Sequence, residues 1–422
     1  MIEELYSIYL QHPTLCTDSR QLQTGDLFFA FKGEHFDANS FIGQALASGA
    51  GACVTENKAF ANHERCFVVD DVLQVLQDLA SYHRSRLNIP VLGITGTNGK
   101  TTTKELIHAV LSTTFHTHAT QGNFNNQLGV PLTLLSMPAD TEIAVIEMGA
   151  NHPEDIAELC KICKPNLGII TNIGKAHLEG FGSYEGVIHA KKALYDYLRH
   201  SDGTVFVNAE NELLLSLCKD MKTISYGDSP HADVRGRLTK IFPHLEIEVS
   251  NHRFSSLLIG SYNFHNIMSA LAVGKFFHID LQTACSAIAA YRPENHRSQM
   301  VNTLRNTLIL DCYNANPSSM EIALSDFGKA DFPRKTAILG AMKELGAYST
   351  EMHKKVVTQA LSIGLDHVFF VGKEFLDLCN KETFFENVTS LKQYLEQHPL
   401  QDQSIFIKGS HSVKLEELQD VL

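Results

Sequence analysis

The glycine-rich stretch at residues 93–103, GITGTNGKTTT, constrains the fold of this chain more than any other segment. It follows a short apolar run at residues 89–93 and precedes apolar residues at helical spacing over residues 104–111. A strand, a glycine turn and a helix in this order form the context in which such a stretch binds phosphate. We therefore predict a nucleotide phosphate site at the start of a helix.

The residues of this loop suit the chemistry of phosphate binding. Gly96 and Gly99 let several backbone amides converge on one anion, and the helix N-terminus adds a partial positive charge. Lys100 can reach the outer phosphates, and the Thr101 hydroxyl can ligate magnesium. The usual GxxxxGK[ST] pattern requires glycine where this chain has Ile94. The alternative is an ordinary glycine turn with a solvated lysine.

Length and charge limit the class of protein. A chain of 422 residues is expected to form two to four domains. Its net charge of -12 argues against a nucleic-acid surface, which would be basic. The N-terminus lacks the pattern of a secretory signal, and no apolar run approaches the roughly 20 residues that a membrane helix needs. Nine scattered cysteines suit reduced thiols, so we expect a cytoplasmic protein without membrane insertion. We also expect it to be a monomer.

The order of predicted elements indicates an α/β protein of three domains, over residues 1–88, 89–292 and 293–422. Strands and helices alternate in the second region, which predicts a parallel sheet with helices on both faces. The third region alternates in the same way and predicts a Rossmann-like, doubly wound domain. The first is a smaller α/β region, with a strand predicted within residues 25–33 and a helix over residues 36–49.

Candidate polar residues follow the predicted strands, at the edge where ligands bind in open α/β sheets. Glu147 ends the strand at residues 143–147 and could hold magnesium, although a strand-end glutamate is often simply solvated. Lys175, His177 and Glu179 lie in the loop after the next strand. His177 could ligate a metal or position a phosphate, although a lone loop histidine more often does neither.

Other polar residues carry weaker signals. The amide-rich residues 121–127 suit recognition of carbonyl and hydroxyl groups, or form an asparagine-rich turn. Lys191 begins an apolar helix in this interpretation and, from the residues alone, is a solvated lysine. Arg297 has the planar charge that suits a γ-phosphate, and Asp311 could accept hydrogen bonds from ribose hydroxyls. Lys32, like Arg20, could hold an acidic ligand, although a lone surface cation is usually solvated. The CxxC of residues 160–163 is interpreted as two helix thiols and not as a zinc site.

Several strings, taken together and in order, resemble the Mur ligase family across essentially the whole length. They are TDSR, GDLFFAFKG, TGTNGKTT, EMGANHPEDI, TNIGKAHLEGFGS, AKKALY, GSYNFHN, NHRSQ and DCYNANPSSM. DCYNANP and NFNNQLGVPLTLL most resemble the members that add D-alanyl-D-alanine to a UDP-muramoyl tripeptide. The DNPR string of relatives that add diaminopimelate is absent.

The resemblance implies a role for each matching residue. ATP would be bound by Gly96, Thr97, Asn98, Gly99, Lys100, Thr101, Thr102, Asn263, Asn266, Arg297 and Asp311. Two magnesium ions would be held by Thr101, Glu147, His177 and Lys191, the last as a carbamate. Catalysis would rest on Lys100, Glu147, His177 and Lys191. Substrate contacts are assigned partly from this resemblance and partly from the amide-rich stretches. The residues are Ser19, Arg20, Lys32, Asn123, Asn125, Asn126, Asn314 and Asn316.

The resemblance also implies the reaction and its domain roles. The first region would bind the UDP part of the acceptor UDP-N-acetylmuramoyl tripeptide, the second would bind ATP, and the third would close over the nucleotide. The reaction would join D-alanyl-D-alanine to the acceptor through an acyl phosphate. Three positions depart from the family pattern, namely Ala193, Ala341 and His411. Two alternatives stay open: another amide ligase of the superfamily, such as a member that adds a single amino acid or a folylpolyglutamate synthase, or a nucleotide-binding paralogue without turnover.

Overall fold

The computed structural model describes residues 1–34, 36–293 and 297–422, and within them the chain forms three separate β-sheets. Each sheet lies in one of the three predicted regions, so the predicted α/β class is confirmed. The proposed boundary near residue 88 falls between a helix that ends at Arg86 and a strand that begins at Val91. The boundaries at 88 and 292 themselves stay a prediction. None of the described helices is long and apolar enough to cross a membrane.

The first region is built on a small parallel sheet in the order β1-β2-β3-β4. Its elements are α1 (Ile2–Gln11), β1 (Leu15–Cys16), β2 (Leu27–Phe29), α2 (Ile42–Ala47), β3 (Ala52–Thr55), β4 (Cys66–Val68) and α3 (Val72–Arg86). Both elements predicted within residues 25–49 are shorter than expected. The strand follows a turn at Gly25, whose φ is +94°, and the chain before α2 forms a 3₁₀ turn, Ala38–Phe41, capped by Asp37.

Helices α1 and α3 pack against the second region and form one continuous apolar core with it. Leu5 and Leu79 belong to the same buried cluster as Val130 and Leu134. The Tyr9 hydroxyl donates a hydrogen bond to the Leu135 carbonyl at 2.7 Å. The first and second regions therefore share a core.

Arg84 fastens α3 to the second region by polar contacts. Its side chain is buried and donates to the carbonyls of Cys163 at 3.0 Å, Lys164 at 3.2 Å and Leu87 at 2.9 Å. Burial is tolerable for this cation because three carbonyl oxygens accept its protons. The guanidinium group thus links α3 to the end of α6 in the second region.

Arg84→Ala is expected to lower the free energy of unfolding by about 2–4 kcal/mol, because it removes charge-assisted hydrogen bonds and leaves buried carbonyls unpaired. Urea denaturation measures the change. The matched control is Arg86→Ala, two residues along the same helix, since Arg86 is exposed and lies over the Tyr82 ring. It should cost under about 1 kcal/mol. Equal losses in the two variants would contradict the role of Arg84.

The second region is a mixed sheet in the order β13-β12-β11-β10-β9-β8-β5-β7-β6. Its strands are β5 (Val91–Thr95), β6 (Thr117–Ala119), β7 (Ile143–Glu147), β8 (Leu167–Ile170), β9 (Thr204–Asn208), β10 (Lys222–Gly227), β11 (Val234–Lys240), β12 (Glu246–Val249) and β13 (His252–Ser255). Strands β5 to β11 pair in parallel, as predicted, whereas the hairpin of β12 and β13 adds an antiparallel edge.

The helices of the second region cover both faces of its sheet, in two buried clusters. They are α4 (Lys100–Leu111), α5 (Gly129–Leu135), α6 (Asp155–Cys163), α7 (Leu178–Phe181), α8 (Tyr184–His200), α9 (Glu212–Leu217), α10 (Asn263–Phe276) and α11 (Leu281–Ala290). Strand β5 lies between β7 and β8, and all three are parallel. The loops that follow them, which carry the candidate residues, therefore meet at one edge.

The third region is a sheet in the order β14-β15-β19-β16-β17-β18, parallel except for β14. Its elements are β14 (Gln299–Asn302), β15 (Thr307–Asp311), α12 (Pro317–Lys329), β16 (Lys335–Gly340), α13 (Ser349–Ser362), β17 (His367–Val371), β18 (Phe384–Phe385), α14 (Val388–Gln397) and β19 (Ser404–Lys408). The Ser261 amide donates to the Asp326 carboxylate at 2.6 Å, which ties α12 to the second region.

Candidate active site

A cleft of about 990 Å³ lies between the second and third regions. It gathers most of the residues predicted to bind nucleotide, metal or substrate. Its walls include Thr97, Asn98, Gly99, Lys100, Thr101, Thr102, Asn123, Asn125, Asn126, Glu147, His177, Asn263, Asn266, Arg297, Asp311 and Asn314. Six predicted residues do not line it: Gly96, Lys191 and Asn316, and from the first region Ser19, Arg20 and Lys32.

The glycine-rich loop is braced by the loop that follows β8. The Thr97 amide donates to the Asn172 carbonyl at 2.9 Å, and the Asn98 amide donates to the Asn172 side-chain oxygen at 3.0 Å. The Thr171 hydroxyl donates to the Asn98 carbonyl at 2.6 Å. These contacts fix the loop before any ligand arrives, which lowers the cost of ordering it on binding.

Two glycines of the loop are required by their surroundings. Gly96 has a φ of +145°, and a Cβ there would lie 2.0 Å from the Thr171 hydroxyl. Gly99 has a φ of +79°, and a Cβ there would lie 2.6 Å from the Asn266 side-chain oxygen. Gly99 also caps α4, so the helix begins at Lys100 and directs its first amides toward the cleft.

Gly99→Ala is expected to weaken ADP binding and to destabilise the chain by more than the ~1–2 kcal/mol that a left-handed backbone costs alanine. The excess comes from the clash with Asn266. Calorimetry measures the affinity, and thermal unfolding measures the stability. Gly122→Ala is the control, since Gly122 has a φ of +53° but nothing within 4 Å of the added carbon. If both variants behave alike, the clash has no effect.

Lys100 is held by its own loop. Its ammonium group donates to the carbonyls of Gly96 at 2.9 Å and Thr97 at 3.2 Å. Desolvation lowers the pKa of Lys100, the charge of Glu147 raises it, and the charge of Arg297 lowers it further. The charges of Glu147 and Arg297 thus both act on Lys100, with opposite effects on its pKa.

Glu147 has an incompletely satisfied carboxylate. The residue is 1% exposed, and its Oε1 accepts a hydrogen bond from the Asn125 side chain at 2.8 Å. Among the described residues, its buried Oε2 has no hydrogen-bond partner. A buried carboxylate oxygen without a partner is costly, and it is the kind of ligand that Mg²⁺ prefers. The residue therefore fits the predicted metal role.

His177 precedes α7 with a left-handed φ of +51°. Its Nδ1 pairs with the Glu344 carboxylate of the third region. Burial lowers the pKa of His177, Glu344 raises it, and the cations Lys100 and Lys191 lower it. The described residues contain no group of three or more His, Cys, Asp or Glu side chains that could hold a metal. Glu147 and His177 alone would thus need oxygen ligands from the bound nucleotide, from Thr101 or from a modified lysine.

Lys191 corrects the interpretation made from the residues alone. It lies in the middle of α8, not at its start, and is 2% exposed instead of solvated, because this face of the helix packs into the core. Its ammonium group lies 5.5 Å from the centre of the Phe181 ring. Desolvation, with a further contribution from the charge of Lys100, lowers the pKa of Lys191 to about 7, against the opposing effect of Asp155. A substantial fraction of this amine is therefore neutral near neutral pH.

Asn263 and Asn266, both predicted to bind ATP, belong to a buried chain of hydrogen bonds. The Asn266 amide donates to the Asn263 side-chain oxygen at 2.9 Å, and the Thr103 hydroxyl donates to Asn266 at 3.1 Å. Asn263 in turn donates to the Ile259 carbonyl at 2.8 Å and to the Ser298 hydroxyl at 3.1 Å. This chain of hydrogen bonds orients both amides at the cleft wall.

The third region contributes charged and aromatic groups to the cleft. Asp311 forms an ion pair with Lys408 at 2.6 Å, in which both side chains are largely buried. The Arg297 guanidinium lies 3.6 Å from the centre of the Tyr313 ring. Stacking holds Arg297 in one orientation while its charge faces the cleft. Of the NHRSQ string, Asn295 and His296 lie outside the described residues.

Several predicted substrate amides have structural contacts as well. Asn125 orients Glu147, and the Asn126 side chain accepts from the Gly129 amide at 2.8 Å at the start of α5. Asn314 accepts from its own neighbour, the Ala315 amide, at 2.8 Å. Asn316 caps α12 and donates to the Asn98 side chain at 2.7 Å, so it joins the third region to the phosphate loop. Asn123 lies at the cleft wall.

The three predicted residues of the first region lie outside the cleft. Arg20 is 85% exposed and pairs with Asp18 at 2.7 Å, and its hydrogen bonds lower the pKa of Asp18 to about 2. Lys32 bridges to Asp37 by backbone pairing, and Ser19 is half-buried. Their roles toward a ligand stay a prediction.

The three departures from the family pattern lie in different settings. Ala193 lies within α8 and packs against the core, and Ala341 is fully buried after β16. His411 is mostly exposed, stacks on the Tyr313 ring at 5.8 Å and lies near Glu416. None of the three replaces a residue of the phosphate loop.

The sequence interpretation gave no role to Glu344, Lys408 or Tyr313. The first two are charged residues in the strings LGAMKELG and KGSH, and the third lies within DCYNANPSSM. Their position at the ends of third-region strands was the available signal. Their partners lie far along the chain, so the contacts were not visible in the sequence.

The chain is similar to known families and proteins along nearly its whole length. The family description "Mur ligase family, catalytic domain" matches residues 14–84, "Mur ligase middle domain" matches residues 94–274, and "Mur ligase, glutamate ligase domain" matches residues 296–411. The UDP-N-acetylmuramoyl-tripeptide--D-alanyl-D-alanine ligase of Bacillus subtilis is 33% identical over 96% of this chain and 92% of its own. The Escherichia coli protein of the same name is 32% identical over 98% and 94%.

Solved structures show the same relation. MurF from Acinetobacter baumannii has a TM-score of 0.86 at 28% identity, over 96% of this chain and 92% of its own. MurF ligase from Thermotoga maritima, solved in complex with ADP, has a TM-score of 0.86 at 26% identity, over 98% and 97%. A folylpolyglutamate synthase from Mycobacterium tuberculosis, at 16% identity, shares the fold. With a similarity that extends through all three regions, the chain belongs to the Mur ligase family.

Proposed function

We propose that this protein is an ATP-dependent ligase that joins D-alanyl-D-alanine to a UDP-N-acetylmuramoyl tripeptide in peptidoglycan precursor synthesis. The observation that carries the proposal is a single cleft that combines a phosphate loop, a buried unpaired carboxylate and a third region seated across the opening. Full-length similarity to ligases named for this reaction supports the choice of substrates. The reaction would take place in the cytoplasm and on one chain, whose own regions supply the whole cleft.

The reaction chemistry matches what the cleft offers. A carboxylate is a poor electrophile, so transfer of the ATP γ-phosphate to the acceptor carboxylate converts its oxygen into a good leaving group. The amine of D-alanyl-D-alanine then attacks the carbonyl carbon of the acyl phosphate. The C–N bond forms, the C–O bond to the phosphate breaks so that phosphate leaves with its electron pair, and the nitrogen loses a proton to give the amide. Lys100, the amides at the start of α4 and Arg297 would stabilise the charge on the transferring phosphoryl group.

Magnesium fits the residues of the cleft. Glu147 offers a buried oxygen without a hydrogen bond, and Thr101 stands in the first turn of α4. His177 and a carbamate on Lys191 would hold a second ion. Such ions neutralise phosphate charge when bound. The chain's own residues would hold the ligands in place and exclude water.

A carbamate on Lys191 is chemically accessible. The neutral amine attacks carbon dioxide, a C–N bond forms, and one proton leaves, so a potential cation becomes an anionic oxygen ligand. The pKa of Lys191 is lowered to about 7, chiefly by desolvation, which supplies the neutral amine. The added negative charge would also balance Lys100, whose charge acts on Lys191.

Closure by the third region would protect the acyl phosphate from water. The Asn98 and Asn316 side chains meet at 2.7 Å, and the Lys175 amide donates to the Ser318 hydroxyl at 3.3 Å. These contacts join α12 to the phosphate loop and to the loop after β8. A closed cleft excludes water and strengthens electrostatic interactions inside it.

Phosphate release tests the proposal. ATP, magnesium, UDP-muramoyl tripeptide and D-alanyl-D-alanine are supplied together, and each is then omitted in turn. Release that requires all four, with a pentapeptide product by mass spectrometry, is the expected result. Release with a free amino acid in place of the dipeptide would indicate a different amide ligase of the family. Nucleotide binding without turnover would indicate a paralogue, with Ala193, Ala341 and His411 as the positions to revert.

A further inference from the structure

An ion pair between Glu344 and His177 joins the third region to the proposed metal site. Glu344 Oε2 contacts His177 Nδ1, and both residues line the cleft. Nothing in the proposed chemistry so far uses Glu344. Close by, Gly346 lies against Glu179 of α7, since a Cβ on Gly346 would come within 3.5 Å of the Glu179 Cβ. The contact is therefore part of the interface between the second and third regions.

The segment that carries Glu344 is fixed within the third region. The Met342 amide donates to Nε2 of the buried His353 at 3.0 Å, and His353 Nδ1 donates to the Ser349 carbonyl at 2.7 Å. The Lys343 amide donates to the Ser410 hydroxyl at 3.1 Å. Backbone atoms on the N-terminal side of Glu344 are thus anchored, and the carboxylate moves with the third region as a unit.

Both partners of the pair have unusual backbone conformations. His177 has a φ of +51° and Glu344 has a φ of +61°, although neither is glycine. A left-handed conformation costs an ordinary residue about 1–2 kcal/mol, and such conformations concentrate at functional sites. Because His177 and Glu344 both have this conformation and contact each other, we expect the contact to serve function as well as stability.

The chemistry of the contact indicates what that purpose is. A histidine ring that donates its Nδ1 proton to a carboxylate keeps a lone pair on Nε2 and is held in one orientation. Carboxylate partners of this kind make a histidine a better metal ligand and typically change metal affinity by 10–100-fold. Here the carboxylate comes from a different domain than the histidine.

We propose that Glu344 is a positioning residue that acts through His177, so that seating of the third region prepares the histidine to bind a divalent cation. The inference rests on the proposed function, because it assumes that His177 is a metal ligand. It adds a coupling between two events: domain closure and completion of the metal site. The open form of the protein would then hold the second cation weakly.

Mn²⁺ with ADP is the probe for this coupling, because paramagnetic Mn²⁺ reports both its own binding and any coordinated histidine nitrogen. Free and bound Mn²⁺ are measured by electron paramagnetic resonance, and nitrogen coupling is measured by spin-echo modulation. The variants are Glu344→Ala, Glu344→Gln and His177→Ala. The matched control is Glu351→Ala, which removes a similarly exposed carboxylate of the same region that forms an ion pair with Lys355.

We expect Glu344→Ala to weaken Mn²⁺ binding by about 10-fold or more and to reduce the nitrogen signal, as His177→Ala does. Glu344→Gln should retain most of both, since its amide oxygen can still accept the Nδ1 proton, and Glu351→Ala should resemble the parent protein. Unchanged or tighter Mn²⁺ binding in Glu344→Ala would overturn the inference, the latter by showing that Glu344 competes with the cation. Absence of a nitrogen signal in the parent protein would instead overturn the metal set and the inference with it.

Discussion

Lys100→Met is expected to lower ATP-dependent product formation by about 10²–10³-fold while leaving the fold intact. The ammonium group is the cation at the start of α4, held by the carbonyls of Gly96 and Thr97. Methionine keeps the length of the side chain but removes the charge that would stabilise the transferring phosphoryl group. Steady-state phosphate release at saturating substrates gives kcat, and thermal unfolding in the absence of nucleotide checks the fold.

The control for this variant is Lys161→Met, which removes a lysine charge from the exposed surface of α6. It should leave kcat unchanged, because long-range surface charges are screened by salt. If Lys100→Met retained more than about a tenth of the parent kcat, phosphate stabilisation would rest mainly on the helix amides and Arg297. In that case the role assigned to Lys100 would be wrong.

Lys191→Ala is expected to lower product formation by at least about 10²-fold, and added short-chain carboxylates should restore part of it. Alanine removes the proposed carbamate and leaves a buried space in which a small acid can supply the missing anionic oxygen. Activity is measured with and without formate or acetate, in the presence of magnesium. Recovery that depends on the size of the acid would show that an anion, and not the amine, is needed.

Lys192→Ala is the matched control, because Lys192 is the next residue of α8, is 36% exposed and pairs with Asp196. It should retain activity and show no response to carboxylates. The parent protein offers a second check. Because carbamate formation consumes the neutral amine and releases a proton, and the pKa of Lys191 is lowered to about 7, labelled carbon dioxide should be incorporated more readily as pH rises through 7. Full activity of Lys191→Ala without added acid would rule out the carbamate.

The sequence predicted the sheet well because buried parallel strands are short, continuous apolar runs. The strand predicted at residues 143–147, for example, begins and ends where the structure has it. The edge at which β5, β7 and β8 end also followed from the pattern. Local chemistry is enough for these features, since each depends on residues close together in the chain.

Features that depend on tertiary packing were harder to predict. The residues alone favour a solvated Lys191 at the start of a helix, and only the packing of α8 shows that this lysine is buried. The pairs of Glu344 with His177 and of Asn316 with Asn98 connect different domains. Neither the relative placement of two domains nor the side chains that meet at their interface can be derived from one sequence.

The common core of the first two regions has a consequence for substrate choice. Because α1 and α3 are packed into the second region, the span from a ligand in the first region to the phosphate loop is set by the fold itself. With the uridine end of the acceptor in the first region, as predicted, this fixed span would set the distance from that end to the carboxylate to be phosphorylated. The length of the acceptor would thus be selected by the packing of these two regions and would not depend on closure by the third.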